Sequence, residues 1–533
     1  MGMRLWKPTW QDISDYVLPR KGNINRTLSP GQQNMAQVLD GTAIHANLLL
    51  SASMHGSLTP SALPWFRYRV KGLRLKPGSE EDKWLEAVTH ITEEFLRYSN
   101  FNDESNEMYQ DLSAFGTGCI FVEESPRLRG QFTGFRFRSI DIGSYVVEEN
   151  FEGRVTGHWR KFELPAQVAV ERFEGKVGPQ VAKAAQEEPE RRFPFLHVVR
   201  PREVARPGLG PLSRPVGSWY VDYEHKLVVE EGGYHEFPYM VSRWSKALGE
   251  EWGRGPGLTA LPDTKTLNKL IELKLGVLGK IVNPPLKVRD EGVVGVVRLT
   301  PGGLTHVRDM DAVQPLDLGG RGLQAAEMEE DSLRQAIRRY FYSDQLQLQE
   351  GPQMTATEVQ VRYELMQRIL GPTLGRIEGE FQNPMLERIF HILLRAKMFP
   401  PMPKPLEKLY LGGRLDIEYE GPLARAARLQ ESLALQRFYA IAAPLAAADP
   451  TVLDGVDNTE AMQVHAESLG VPSRALRSPE QIAEIRRARQ AAQQAEMQQM
   501  AQAGALEALG KYAPFLKAQN EANEGISGLA GRV

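Results

Sequence analysis

Any chemistry in this chain would have to come from one cysteine, ten scattered histidines, a glycine-rich hexapeptide or a few carboxylate pairs. None has the neighbours its chemistry needs. Cys119 follows Phe115-Gly116-Thr117-Gly118 and precedes the strand-like Ile120-Phe121-Val122, a setting that suits a small buried side chain better than a nucleophile. One cysteine can form neither an intramolecular disulfide, a cysteine-rich zinc site nor an iron–sulfur centre. The histidines, His45, His55 and His391 among them, show no H-E-x-x-H and no pair at ligand spacing, so no metal is expected. Trp252-Gly253-Arg254-Gly255-Pro256-Gly257 lacks both dinucleotide spacing and a strand directly before it, and neither a phosphate-loop motif nor G-x-S-x-G occurs. Glu123-Glu124 and Asp309/Asp311 are pairs that a chain with 25% charged residues contains by chance, so a solvated face is the expected reading. No cofactor is expected, and an enzyme becomes improbable.

The elements that would position any site must fill a long chain. At 533 residues it predicts about two to four structural units. With 42% hydrophobic residues it can bury a large core. The 64 Lys+Arg nearly balance 67 Asp+Glu, leaving a net charge of −3. A sequence-reading DNA binder is therefore disfavoured, with room only for local basic patches. The N-terminal Met1-Gly2-Met3-Arg4-Leu5-Trp6-Lys7-Pro8 has no apolar stretch, and the longest apolar run, near Ala440 to Ala448, is broken by Pro444. A soluble protein made inside a cell, with no membrane segment, is expected.

Periodicity supplies the elements. Trp10, Ile13 and Val17 predict a helix starting after Pro8-Thr9 and stopped by Pro19; Asp40 or Thr42 caps a second helix through Met54. Trp65 to Val70 alternates as a strand, and Trp84, Val88, Ile91 and Phe95 form the stripe of a helix over about 80–98. From Phe115 to Val241 short alternating runs with one or two helices predict an α+β region, with a surface loop at Glu187 to Arg192. Asp263 caps a helix to about Val282, whose apolar face is Leu267, Leu270, Ile271, Leu275, Leu278 and Val282; Pro284-Pro285 ends it. A strand at Leu286 to Val288, a β-rich Val293 to Leu299, a turn at Pro301-Gly302-Gly303 and a helix over 323–342 follow. Within that helix Glu330 and Arg334, four apart, are expected only to brace their own turn. Residues 343–354 read as a polar loop. Thr355-Ala356-Thr357-Glu358 is a capping box opening a long helix that bends at Gly371-Pro372 and Pro384 and ends near Met398. A strand at Leu415 to Tyr419 and helices over about 423–442, 459–468 and 478–502 complete the chain, the last with few large apolar residues and Pro479 in its first turn.

The order of several groups is more specific than any one of them. Trp10 to Leu18-Pro19-Arg20, Leu39-Asp40-Gly41-Thr42-Ala43 with Leu58-Thr59-Pro60 and Trp65-Phe66, Phe115-Gly116-Thr117-Gly118, Phe237-Pro238 with Arg243-Trp244, Gly253 to Gly257 with Ala260-Leu261-Pro262-Asp263, Pro284-Pro285-Leu286, and Met354-Thr355-Ala356-Thr357-Glu358-Val359 occur in sequence. Together, from Trp6 to Pro405, they resemble the portal, or head-to-tail connecting, proteins of short-tailed bacteriophages. Trp252 is a departure, since relatives are expected to carry tyrosine there; it affects little.

The resemblance implies a helix-rich α+β subunit that assembles in a ring of about twelve copies. It implies a wing over 1–260, stem helices over 261–283 and 323–342, a clip over 284–322 and a tunnel loop over 343–354. A kinked wing helix with a return strand over 355–420, and a helical crown with a flexible end over 421–533, would follow. Such a ring sits in the virion at one capsid vertex. It passes double-stranded DNA, docks the terminase large subunit, contacts capsid and scaffolding proteins, and later joins a tail adaptor. Gln345, Gln347 and Gln349 would face the tunnel; an ordinary exposed loop is the competing account. Lys265, Lys269 and Lys280 would form basic rings along the channel or be solvated charges outside it. Arg289, Asp290 and Glu291 would serve clip contacts and motor docking, or only an exposed turn. A large oligomeric α+β enzyme with an unrecognised site and a helical scaffold or adaptor stay open beside it.

Overall fold

The computed structural model describes residues 2–21, 24–25, 38–61, 64–70, 75, 78–125, 131–204, 207–208, 210–298, 300, 303–316, 322–346, 371, 373–410, 415–419, 422–448, 455–469, 471, 475–477, 481–502 and 517. In chain order the elements begin with α1 (Gly2–Tyr16), α2 (Thr42–Leu58), β1 (Phe66–Val70), α3 (Glu80–Arg97) and α4 (Phe101–Phe115). The β-rich part follows as β2 (Thr117–Glu124), β3 (Phe135–Ser139), β4 (Tyr145–Glu149), β5 (Val155–Pro165), α5 (Ala166–Arg172), α6 (Pro179–Glu187), β6 (Arg192–Pro201), β7 (Val216–Asp222), β8 (Leu227–Tyr234) and β9 (Tyr239–Arg243). Next come α7 (Pro256–Val282), β10 (Leu286–Val288), β11 (Val293–Val294), β12 (His306–Val307), β13 (Val313–Pro315), α8 (Leu323–Tyr340) and the single turn α9 (Ser343–Leu346). After a π-helical turn at Glu378–Gln382 the chain continues as α10 (Asn383–Arg395), α11 (Lys404–Tyr410), β14 (Leu415–Tyr419), α12 (Pro422–Ala448), α13 (Asn458–Ser468) and a helix α14 over 481–502.

Two compact units result. The first comprises residues 1–67, 88–400 and 417–427. Its β4 to β8 form an antiparallel meander in sequence order, and β3-β2-β9 a second antiparallel sheet. Alternation on β6 puts Phe193, Phe195, His197 and Val199 inward; Phe193 and Phe195 pack on Ala166, Ala169, Phe173, Val181 and Ala184 of α5 and α6. Between the sheets lies a sealed polar stack. The His158 ring lies parallel to Tyr239 at 3.6 Å, His197 parallel to Tyr220 at 4.1 Å, and His197 bonds Tyr239 Oη at 2.7 Å and Ser218 Oγ at 2.9 Å. Cys119 is buried there, 3.7 Å from His158 Nε2. Burial pushes its thiol far above the ordinary range, and burial with nearby arginine charge drives His197 down to about 3.

Two glycine clusters distant in sequence meet in this unit. Gly116, in the left-handed conformation (φ +82°), ends α4 against the segment that leads into α7. A Cβ on Gly253 would stand 2.0 Å from Gly116 O, and one on Gly257 2.2 Å from Ala114 O. Only glycine lets the two backbones approach so closely. Gly253 N donates to Thr117 Oγ1 at 2.8 Å, and Trp252 packs edge-on to Trp10 at 4.8 Å.

Arg243 and Arg388 are the other anchors. Buried Arg243 donates to Glu380 Oε1 at 2.7 Å and pairs with Glu149. Arg388 Nε donates to Val122 O at 3.2 Å and its Nη1 to Glu236 O at 2.9 Å. Glu380 lies in the π-helical turn, which turns its carboxylate to Arg243 while Gln382 Nε2 reaches Leu58 O at 3.2 Å.

The second unit comprises residues 68–87, 401–416 and 428–533. In it Ser432 Oγ bonds His465 Nδ1 at 2.7 Å, Tyr439 Oη donates to Asn458 Oδ1 at 2.8 Å, and Arg486 Nη2 donates to Thr459 Oγ1 at 2.8 Å. The α14 residues are exposed almost throughout, in keeping with its few large apolar side chains.

Several expectations need correction. α1 begins at Gly2 with Pro8 inside it, and α7 begins at Pro256 rather than after Asp263, carrying Pro262 within its first two turns. Each of these prolines is the seventh residue of its helix and so removes one i→i−4 bond, to Arg4 O in α1 and to Leu258 O in α7, without ending the helix. β11 covers only Val293–Val294 of the expected 293–299, because the following Gly295 adopts φ +93°. Residues 343–346 form a helical turn, not loop. The π-helical turn directly precedes Pro384, where a kink was expected. Sequence reading passed over α4, although Phe101, Met108, Leu112 and Phe115 recur at helical spacing; Ser105, Gln110, Asp111 and Ser113 are buried beside them. The capping box at Thr355 to Glu358, Pro301-Gly302, Pro372 and Pro479 lie outside the described residues.

Candidate functional site

From Asp263 to Tyr340 the chain folds back on itself in nested pairs. The Tyr340 hydroxyl bonds Asp263, whose carboxylate pushes that phenol above its ordinary range. Further along, Lys274 Nζ donates to Glu330 Oε2 at 3.2 Å. Beyond the helices Leu286 pairs with Pro315 and Val288 with Val313, then Val293 with Val307. The innermost pair is Arg298 N with Thr305 Oγ1 at 3.0 Å. This is an antiparallel helical hairpin, α7 and α8, ending in two short β-ladders.

The base of the hairpin is tied into the first unit. Buried Asn268 accepts the amides of Leu39 at 2.7 Å and Asp40 at 3.1 Å through its side-chain oxygen, and Lys265 pairs with Asp12 of α1 while lying over Tyr16. Arg334 donates to Asp40 Oδ2 at 3.0 Å, while Asp40 Oδ1 accepts the amide of Thr42, the first residue of α2, at 2.8 Å; the N-cap itself is Gly41 rather than the expected Asp40 or Thr42. Burial opposes ionisation of Asp40, but the bonds from Thr42 and Arg334 outweigh it and hold its carboxyl below the usual range. Glu330 is buried beneath Lys274 and Arg334, so this pair joins α8 to α7 and to the start of α2. The expectation that Glu330 and Arg334 merely brace one helix turn is overturned, because Arg334 also reaches Asp40 before α2 and Glu330 also takes Lys274 of α7.

Farther out, polar and apolar groups behave differently. Lys269 is paired with Glu272 at 2.8 Å and exposed; Lys280 is exposed with no ion pair among the described residues. The apolar face expected on α7 divides. Leu267 is buried and Leu270 and Ile271 are half-buried, whereas Leu273, Leu275, Val277, Leu278, Ile281 and Val282 are exposed. At the tip Arg289 Nη1 donates to Asp309 Oδ2 at 2.8 Å, Glu291 is exposed, and Asp290 lies in a 3-10 turn whose side chain is outside the description. Val294, Val296, Leu304 and Met310 are also exposed there. Gln345 lies in α9, its side chain undescribed; Gln347 and Gln349 are outside the described residues.

The hairpin therefore brings Lys265, Lys269 and Lys280 onto one helix and Arg289 to Glu291 to its tip. Sequence reading passed over Lys274, nine residues after Lys265 on the same helix, and Asn268, which had no charge to draw notice. No group of three or more histidine, cysteine or carboxylate side chains able to hold a metal occurs among the described residues, and no described helix is long and apolar enough to cross a membrane.

These features define an α+β protein with an anchored helical hairpin and no assembled catalytic centre among the described residues. The sequence profile of the bacteriophage head to tail connecting protein family matches residues 3–476, and the chain belongs to that family. The match extends past Pro405, so the family pattern includes more of the second unit than the seven groups suggested. The chain is 29% identical over 501 residues to the "Probable portal protein" of Bordetella phage BPP-1, covering 90% of this chain and 87% of the relative. It is 26% identical over 490 residues to the "Portal protein" of Salmonella phage epsilon15, covering 90% and 86%. A chain of the solved "Virion of native gene transfer agent (GTA) particle" shares 9% identity and a TM-score of 0.36, covering 80% of this chain and 95% of that one; a likeness so slight carries no argument. Family membership makes this a phage virion protein of the head–tail junction.

Proposed function

We propose that copies of this chain assemble side by side into a closed ring of about twelve at one capsid vertex, a channel for double-stranded DNA during packaging and ejection. In this reading α7 and α8 are the stem, 284–322 the clip, 343–354 the tunnel loop, 1–260 with 355–420 the wing and 421–533 the crown. The terminase large subunit docks at the clip, capsid and scaffolding proteins surround the wing, and a tail adaptor replaces the motor. The chain works as a conduit, not a catalyst: its cysteine is buried with its thiol pushed up, and its sealed histidines stay neutral.

The observation that carries the ring is the outer half of α7. Lysines on the hairpin are mostly paired within the subunit, yet six apolar side chains between Leu273 and Val282 face solvent. An isolated copy gains nothing from that strip, while a neighbouring copy would remove it from water. Light scattering on the purified chain should give about 0.7 MDa, twelve copies of 59.8 kDa each. A stable monomer or dimer would overturn the ring.

A channel must hold a polyanion without gripping it, since each added Lys or Arg contact strengthens binding through counterion release. Lys265 answers to Asp12 and Lys269 to Glu272, which tempers any basic ring they form. Neutral Gln345, Gln347 and Gln349 would serve the tunnel in the same way. Replacing all three with Arg should lower the DNA packaged per capsid; unchanged packaging would remove them from the channel wall.

A further inference from the structure

The second unit holds a cavity of about 290 Å³ between α13 and α14. Met462, Leu476 and Ile482 give it an apolar lining, and Arg477 and Arg486 line it beside them. Its walls are held from outside. Tyr439 Oη of α12 donates to Asn458 Oδ1 at 2.8 Å and fixes the start of α13, while Arg486 Nη2 of α14 donates to Thr459 Oγ1 at 2.8 Å. At the third side the backbone of Arg477 lies so near the turn before α3 that a Cβ on Gly78 would stand 3.1 Å from Arg477 O.

The cations at this cavity differ from those elsewhere in the chain. Arg243, Arg334, Arg388 and Arg395 each have a carboxylate within 3.4 Å. Among the described residues the Arg477 side chain has neither an ion pair nor a hydrogen bond, and Arg486 bonds only the neutral Thr459 hydroxyl. Asp457 feels the Arg486 charge, but its Oδ1 is committed to the amides of Thr459 at 2.8 Å and Glu460 at 3.1 Å, where it caps α13.

We propose that this cavity binds an acidic peptide segment of a partner protein, seating an apolar side chain against Met462, Leu476 and Ile482 while the adjoining carboxylate takes Arg477 and Arg486. Charge complementarity selects an anion, since guanidinium groups without an acid partner offer the paired donors that a carboxylate accepts. Size and lining select a peptide. At about 290 Å³ the cavity lies just below the range of about 300–1,000 Å³ for sites that take whole small molecules, which suits one or two side chains. A nucleic-acid backbone would leave the apolar lining unused. Asp457, Glu460 and Glu484, each within two residues of a lining residue, also oppose a polyanion. The site lies within one copy and does not depend on how many copies assemble.

The test is a fluorescence-anisotropy titration of the full-length chain against a rhodamine-labelled peptide of sequence Asp-Glu-Leu-Phe-Asp. Saturation at one peptide per chain with a Kd below about 1 mM is expected, and no saturation by a control peptide in which lysine replaces each acid. Arg477→Gln combined with Arg486→Gln should weaken binding about tenfold or more, and Met462→Ser about threefold or more. The melting temperature should stay unchanged in these variants because all three side chains are exposed. Failure of the acidic peptide to saturate, binding indifferent to the substitutions, or equal binding of the lysine peptide would each overturn the proposal. A short DNA duplex that displaces the peptide, and binds the Met462→Ser variant undiminished, would overturn it in favour of a phosphate site.

Discussion

The β-rich first unit and the α7–α8 hairpin treat the same residue types in opposite ways. Between the two sheets polar groups are buried, stacked and bonded to one another, as in the His158–Tyr239 and His197–Tyr220 pairs, while apolar groups such as Phe193 and Phe195 are covered. On the outer hairpin charges such as Lys269 and Lys280 lie in water, Lys269 paired with Glu272 along its helix, while leucines and valines are left uncovered. The first region is complete within one copy. The second leaves apolar side chains uncovered in a single copy, surface that the proposed ring would remove from water.

That contrast can be broken by substitution, and the largest effect should come from the ion cluster of the first unit. Arg243→Ala leaves Glu149 and Glu380 without their shared cation and should destabilise the subunit by about 3–5 kcal/mol in denaturant unfolding. A loss under 1 kcal/mol would mean that the cluster is not an anchor. Gly253→Ala drives a methyl group into the Gly116 carbonyl and should cost about 1–3 kcal/mol, read as a lower melting temperature; an unchanged melt would show that the two glycine clusters separate easily.

Acid should find the sealed stack next. His158 lies well below its ordinary value and His197 near 3, so the folded unit keeps both neutral while the unfolded chain binds protons below about 6.5. Stability should therefore fall as pH drops from about 6.5 toward 3, by up to about 1.4 kcal/mol per pH unit for each histidine. His197→Gln should flatten that slope; a slope indifferent to both histidines would mean that the stack opens to water. The smallest effect belongs to the hairpin. Lys269→Ala removes an exposed pair with Glu272 and should change stability by less than about 0.5 kcal/mol. A larger loss would show that the outer hairpin, too, is finished within the subunit.

Much of this was legible along the chain. The strands at 120–122, 135–138 and 227–229 and the limits of β10, β14 and α13 follow from local propensity, which acts within a few residues and is written there. The order of Gly, Pro and Trp groups was enough to identify the family. The start of α7 was less legible, because Pro262 and the glycines before it resemble a breaker until Gly116 and Ala114 are seen to need that close approach. α4 was passed over although its apolar spacing is present along the chain; only its buried polar residues depend on distant partners, Asp111 taking Lys21 at 2.9 Å and Ser113 bonding Asn47 at 2.7 Å.

The sequence by itself determined the elements, the family and the scarcity of chemistry, since these depend on residue type and short spacing. Only the tertiary structure decided that Glu330 and Arg334 together join three segments, that Arg243 ties Glu149 to Glu380, and that the apolar face of α7 is half covered. Each of those outcomes depends on which distant backbone arrives within bonding distance, a quantity that spacing along a chain does not contain.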